Sequence, residues 1–141
     1  MDSPWITILI LAIILIISIM LATSKNKKCQ KQGERPFVWG YLQGYASIIT
    51  AILALSVNVL FLTMGIVDGE MWAYATYAFI MGFLGYLVIQ RNRWAFLIKT
   101  FLSGNLILWV INGIYLYNRW HEMAAIETKV EIVSDKPDYQ I

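Results

Sequence analysis

Four apolar stretches dominate the chain: Trp5 to about Thr23, Phe37 to Leu62, Trp72 to Ile89 and Trp94 to Tyr117. Each approaches the length of about 20 residues that a helix needs to cross a bilayer. Backbone polar groups in lipid must be satisfied within the segment, so the pattern predicts helices. The connections "SKNKKCQKQGERP", "TMGIVDGEM" and "RNR" are brief enough to set neighbouring helices antiparallel. The expected fold is an all-α integral membrane protein. Residues 1–117 form a four-transmembrane-helix antiparallel bundle, and 118–141 a short interfacial or soluble C-terminal tail.

The first stretch opens with Asp2 or Ser3 as N-cap, Pro4 in the first turn and Trp5 at the interface. Ala22-Thr23-Ser24 loosely resembles a signal-peptide cleavage site. Its basic cluster follows the apolar run where a signal peptide has it in front, so a retained anchor is expected.

Polar residues inside the other stretches fall at helical spacing. Gln43, Ser47, Thr50, Ala54 and Asn58 are separated by four, three, four and four positions, which sets them on one stripe. Gly40 and Gly44 form a GxxxG, while Ala78, Gly82 and Gly85 make a small-residue face that lets a neighbouring backbone come close. In "SGNLILWVINGIY", Asn112–Gly113 taken alone reads as a tight turn. Breaking the helix there would leave too few apolar residues to cross, so the whole stretch is expected to be mid-membrane helix, with Asn105, Trp109 and Asn112 on one face.

Charge orients the bundle. Lys25, Lys27, Lys28, Lys31 and Arg35 follow the first stretch, and Arg91, Arg93 and Lys99 surround the "RNR" turn. The positive-inside rule sets both regions in the cytoplasm, which with four spans makes both termini non-cytoplasmic. Lys99 lies little more than a turn inside Trp94, so its stem can carry the ammonium to the headgroups. In the tail, "NRWHEMAAIET" is expected to continue as an interfacial helix and "KVEIV" alternates like a short strand.

Composition agrees with the pattern. Of 141 residues, 59% are hydrophobic and 14% charged, with mean hydropathy +0.61, against about 25% charged in soluble domains. A net charge of +2 is too small to suggest nucleic-acid binding, and no basic stripe interleaved with aromatics occurs, so no nucleic-acid partner is expected. One cysteine, Cys29, and one histidine, His121, cannot build a disulfide framework or a zinc cluster. No Asp, Glu or His falls within a span, so the carrier of a proton relay is missing, and no nucleotide-binding or hydrolase motif occurs. Asp68 and Glu70 share an exposed turn, which is a poor setting for a catalytic carboxylate pair.

No enzyme activity, cofactor or metal is therefore expected. The polar stripe of Gln43, Ser47, Thr50, Asn58, Asn105 and Asn112 is read first as packing. The glycines at 40, 44, 82 and 85 serve close helix contact, and the cluster Lys25, Lys27, Lys28, Lys31 and Arg35 fixes topology. The expected function is a small non-catalytic membrane protein, an accessory or assembly subunit or a homo-oligomer. Its partners are the lipid bilayer and another membrane subunit or itself. The alternative is a small oligomeric channel or transporter for an ion or polar solute, with the same stripe lining the path. No N-x-S/T sequon occurs, and the expected location is a bacterial inner membrane.

Overall fold

The structure, a computed structural model, describes residues 4–66 and 68–134, with side chains as far as Met123. They form five helices: α1 (Pro4–Lys31), α2 (Val38–Thr63), α3 (Gly69–Ile89), α4 (Arg93–Leu102) and α5 (Leu106–Ser134). No strand occurs among the described residues. α1, α2 and α3 are long and apolar enough to cross a membrane.

Glycine stops the first two helices. Gly33 (φ +77°) and Gly65 (φ +73°) sit one residue past the cap in the left-handed conformation. The amides of Gly33 and Glu34 return to the carbonyls of Gln30 and Cys29, and those of Gly65 and Ile66 to Leu62 and Phe61. This paired closure satisfies carbonyls that a helix end otherwise leaves open. α3 ends in the same way, with Arg91 and Asn92 returning to Val88 and Leu87, but the left-handed residue is Arg91 (φ 62°). A non-glycine there costs about 1–2 kcal/mol, so its side chain must compensate.

α1 touches the bundle along a narrow stripe, Ser18, Ala22, Asn26 and Cys29, and exposes nearly everything else. α2 and α3 cross closely. A Cβ on Gly44 would lie 2.8 Å from the Gly85 carbonyl oxygen, one on Gly85 2.8 Å from the Gly44 carbonyl oxygen, and one on Gly82 2.7 Å from Ala51 Cβ. Gly40 instead makes room for the ring of Phe37, which a Cβ would meet at 2.0 Å. Phe37, Tyr41, Val88, Phe96, Leu116 and Met123 close the core at the end of the bundle that carries the Lys-rich turn; we call this the basic end.

The expected fourth span is not one helix, which makes the bundle of four continuous helices a correction. α4 has 10 residues and reaches about 15 Å. It stops at Ser103 and Gly104 (φ +61°), and Asn105 then starts α5 as its N-cap, its side chain accepting from the amides of Ile107 and Leu108 at 3.0 and 3.2 Å. The two helices fold back on each other. Phe101 packs on Trp109, Thr100 bonds Asn112, Phe96 stacks on Tyr115 and Trp94 meets Trp120 edge-on. The hairpin enters and leaves at the basic end, where Arg35 pairs with Glu122 and Arg119 donates to the Pro36 carbonyl. Its tip is pinned near the midpoint of α3, where the Tyr77 hydroxyl donates to the Leu102 carbonyl at 3.0 Å.

Two further expectations change with it. The chain returns to the basic end after α4, so Arg119 and Glu122, at the start of the tail expected on the non-cytoplasmic side, lie with the Lys-rich turn. "KVEIV" lies within α5 and is helical, since continuing a helix already formed leaves no backbone group unpaired, whereas a lone strand is marginal. The stretch from 135 to 141 lies outside the described residues.

Candidate functional site

Asn112 is the centre of the polar cluster. It is 2% exposed, on the face of α5 that meets α4 and α2. Its Oδ1 accepts from Gln43 Nε2 at 2.6 Å and from the indole Nε1 of Trp39 at 2.8 Å. Its Nδ2 donates to Thr100 Oγ1 at 3.1 Å and to Gln43 Oε1 at 3.3 Å. Every donor and acceptor of this amide is thus engaged by α2 or α4, which is the condition for burying it without penalty.

Beside the cluster lies a cavity of about 290 Å³, lined by Leu15, Trp39, Gln43, Ser47, Lys99 and Ser103 among others. Lys99 is 8% exposed and its ammonium donates to Gln43 Oε1 at 3.4 Å. This departs from the expected snorkelling, because the side chain points into the bundle. No carboxylate lies within ion-pair distance of it among the described residues.

The remaining stripe residues do not join this cluster. Asn58 bonds the Ala54 carbonyl of its own helix at 2.8 Å. Asn105 caps α5 at the hairpin tip and is exposed. Thr50, Ala54 and Asn58 line an open cleft of about 700 Å³ with Ile10, Phe61 and Tyr74, and Asp68 and Glu70 stand at its outer end. An adjoining cavity of about 370 Å³ is lined by Ala46, Ser47, Ala51, Tyr77 and Ala78. The larger cleft lies beyond the hairpin tip, and the smaller cavity shares Ala46 and Ser47 with the one beside Asn112. Gln43 and Asn112 are brought together, whereas Asn58 and Asn105 are not brought to them.

A second network, missed by pattern reading, closes the basic end. Arg91 Nε donates to the Tyr41 hydroxyl at 3.0 Å and Nη2 to the Arg35 carbonyl at 3.0 Å, with Glu34 at 3.2 Å. The guanidinium also lies over the rings of Phe37 and Tyr41, and Cys29 Sγ contacts the Tyr41 hydroxyl at 3.1 Å. These contacts hold Arg91 in its strained backbone conformation. The sequence held one clue, an "R-N" where the other helix ends carry glycine. Asn26, also unremarked in the sequence, accepts from the Phe37 amide at 2.9 Å and ties α1 to the start of α2. Lys25, Lys27, Lys28 and Lys31 are exposed at this end.

No group of three or more His, Cys, Asp or Glu suited to a metal occurs among the described residues. No protein-family model, no curated protein and no solved structure matches the chain.

Proposed function

We propose that this chain is a non-catalytic integral membrane protein that acts through helix packing, as an accessory or assembly subunit or with copies of itself. In this reading α1, α2 and α3 span the bilayer, and α4–α5 is a re-entrant hairpin entering from the basic side. The observation that carries it is the shortfall of α4. A helix of about 15 Å covers half of a hydrocarbon core about 30 Å thick, so one half of the α2–α3 face has no fourth helix against it. That half is lined by Thr50 and Ala54, residues small enough for a partner helix to approach closely.

The buried amides support a structural role, since Asn112 is fully bonded within the chain. Asn58 and Asn112 line different cavities and do not meet, which favours packing over a shared polar lining.

The hairpin also revises the orientation. With the basic end cytoplasmic, every Lys and Arg up to Arg119 except the buried Lys99 lies on one side, in keeping with the positive-inside rule. The N-terminus then faces outward and the C-terminal segment inward, in a bacterial inner membrane.

The test is native mass measurement of the tagged protein in mild detergent, for the wild type and for Ala54→Leu. The expected result is a wild-type complex, with its own copies or another subunit, that Ala54→Leu dissociates without lowering thermal stability. A wild-type monomer recovered alone overturns the reading.

A further inference from the structure

The cavity beside Asn112 has a chemistry that the packing role does not require. Lys99 is buried, yet it has a single long bond, to Gln43 Oε1 at 3.4 Å, and two of its three ammonium hydrogens have no acceptor among the described residues. A buried charge without a partner is strongly unfavourable. The end of α4 helps, since a cation in a last turn is favoured by the carbonyl dipoles, but by about 0.3–1 kcal/mol.

Two other polar groups of the lining keep a free hydrogen to donate. Gln43 Nε2 uses one hydrogen on Asn112 and keeps a second, and the Ser47 hydroxyl makes no hydrogen bond among the described residues. The Trp39 indole and both amide hydrogens of Asn112 are already engaged. The cavity therefore offers a cation and uncommitted donors, and no acidic residue lines it. Leu15, Leu42 and Leu108 complete the wall. Its volume, about 290 Å³, is near the lower limit of small-molecule pockets, about 300 Å³.

We infer that this cavity binds one oxyanion group, a carboxylate or phosphate, with Lys99 as its counter-ion and Gln43 and Ser47 as additional donors. The apolar wall favours an anion carried on an acyl chain over a free ion. Such a ligand supplies the charge that Lys99 lacks, and it does so where α1, α2, α4 and α5 converge. It bridges the hairpin to the long helices.

The experiment uses the full chain in neutral detergent, probed separately with oleate, dioleoyl phosphatidylglycerol and inorganic phosphate, with oleyl alcohol as control. The expected result is a rise in wild-type Tm of roughly 5–10 °C at 100 times the Kd of the anionic amphiphile, with no rise for oleyl alcohol or in Lys99→Met. A rise with phosphate alone, equally lost in Lys99→Met, assigns the site to a free anion. No rise with any of the three anions, or an equal rise in Lys99→Met, overturns the inference. Should Lys99→Met fail to fold, reductive methylation of the wild type gives the answer. Slowing of Lys99 modification by the same anion supports the site, and an unchanged rate refutes it.

Discussion

Thr100 on α4 and Asn112 on α5 meet at 3.1 Å, although a continuous helix would separate residues twelve apart by about 18 Å. That single contact distinguishes a hairpin from a fourth span. It also ties the hairpin to α2, because the same Asn112 amide holds Gln43 and Trp39.

Removing the amide tests how much this junction contributes. Asn112→Leu leaves Trp39, Gln43 and Thr100 without their shared partner, at a cost of about 1–3 kcal/mol for buried groups left unsatisfied. Thermal unfolding should show a lower Tm. Gln43→Leu combined with Asn112→Leu should cost less than the sum of the two singles, because neither then leaves the other unpaired.

The hairpin makes a topological prediction. In a Cys29→Ser background, Lys27→Cys and His121→Cys should both be protected from a membrane-impermeant thiol reagent in intact cells, while Thr63→Cys should be labelled. Opposite behaviour of Lys27→Cys and His121→Cys would restore a fourth full span.

Arg91 offers a test of strain against contact. Arg91→Gly relieves about 1–2 kcal/mol of left-handed backbone strain but deletes the bonds to Tyr41, Glu34 and the Arg35 carbonyl. Charge-assisted bonds contribute about 1.5–3 kcal/mol each when buried, so a net loss of stability is expected in a thermal melt. Arg91→Lys keeps the strain and loses the planar fork, so it should melt no higher than Arg91→Gly.

The hairpin tip depends on backbone conformation. Gly104→Val forces a β-branched residue to φ +61°, costing about 1–2 kcal/mol, and Asn105→Ala removes the cap of α5, costing about 1 kcal/mol. The two together should lower Tm more than either alone. An unchanged Tm would mean that the tip conformation contributes nothing.

The three long helices were legible because continuous apolar runs and flanking turns are strong, local signals. The break at 103–105 is equally local, a glycine followed by an N-capping asparagine, but the apolar length that runs through it points to one span. Length is a weak guide here, because a hairpin of α4 and the first part of α5 has the same apolar content as one span. "KVEIV" misled for a related reason, since alternation over five residues fits a helix edge as well as a strand. Gln43 and Asn112 were identified as intramembrane amides, but their meeting across α2 and α5 is a long-range fact that no spacing rule contains. Tyr41 and Arg91 were invisible as a pair, fifty positions apart. The inward turn of Lys99 was also unreadable, because flexible stems reach either way and the surrounding helices decide.

The shortness of α4 bears on how such a chain is made. In the proposed orientation, the export machinery has to pass the leading residues and one small loop around Asp68. After α3 is laid down, α4 and α5 can enter the bilayer edge from the side on which they were synthesised, dipping in and coming back without a hydrophilic loop being carried across. In that reading the α4–α5 hairpin joins the three long apolar helices from one side, and Asn112 is the contact that sets its register.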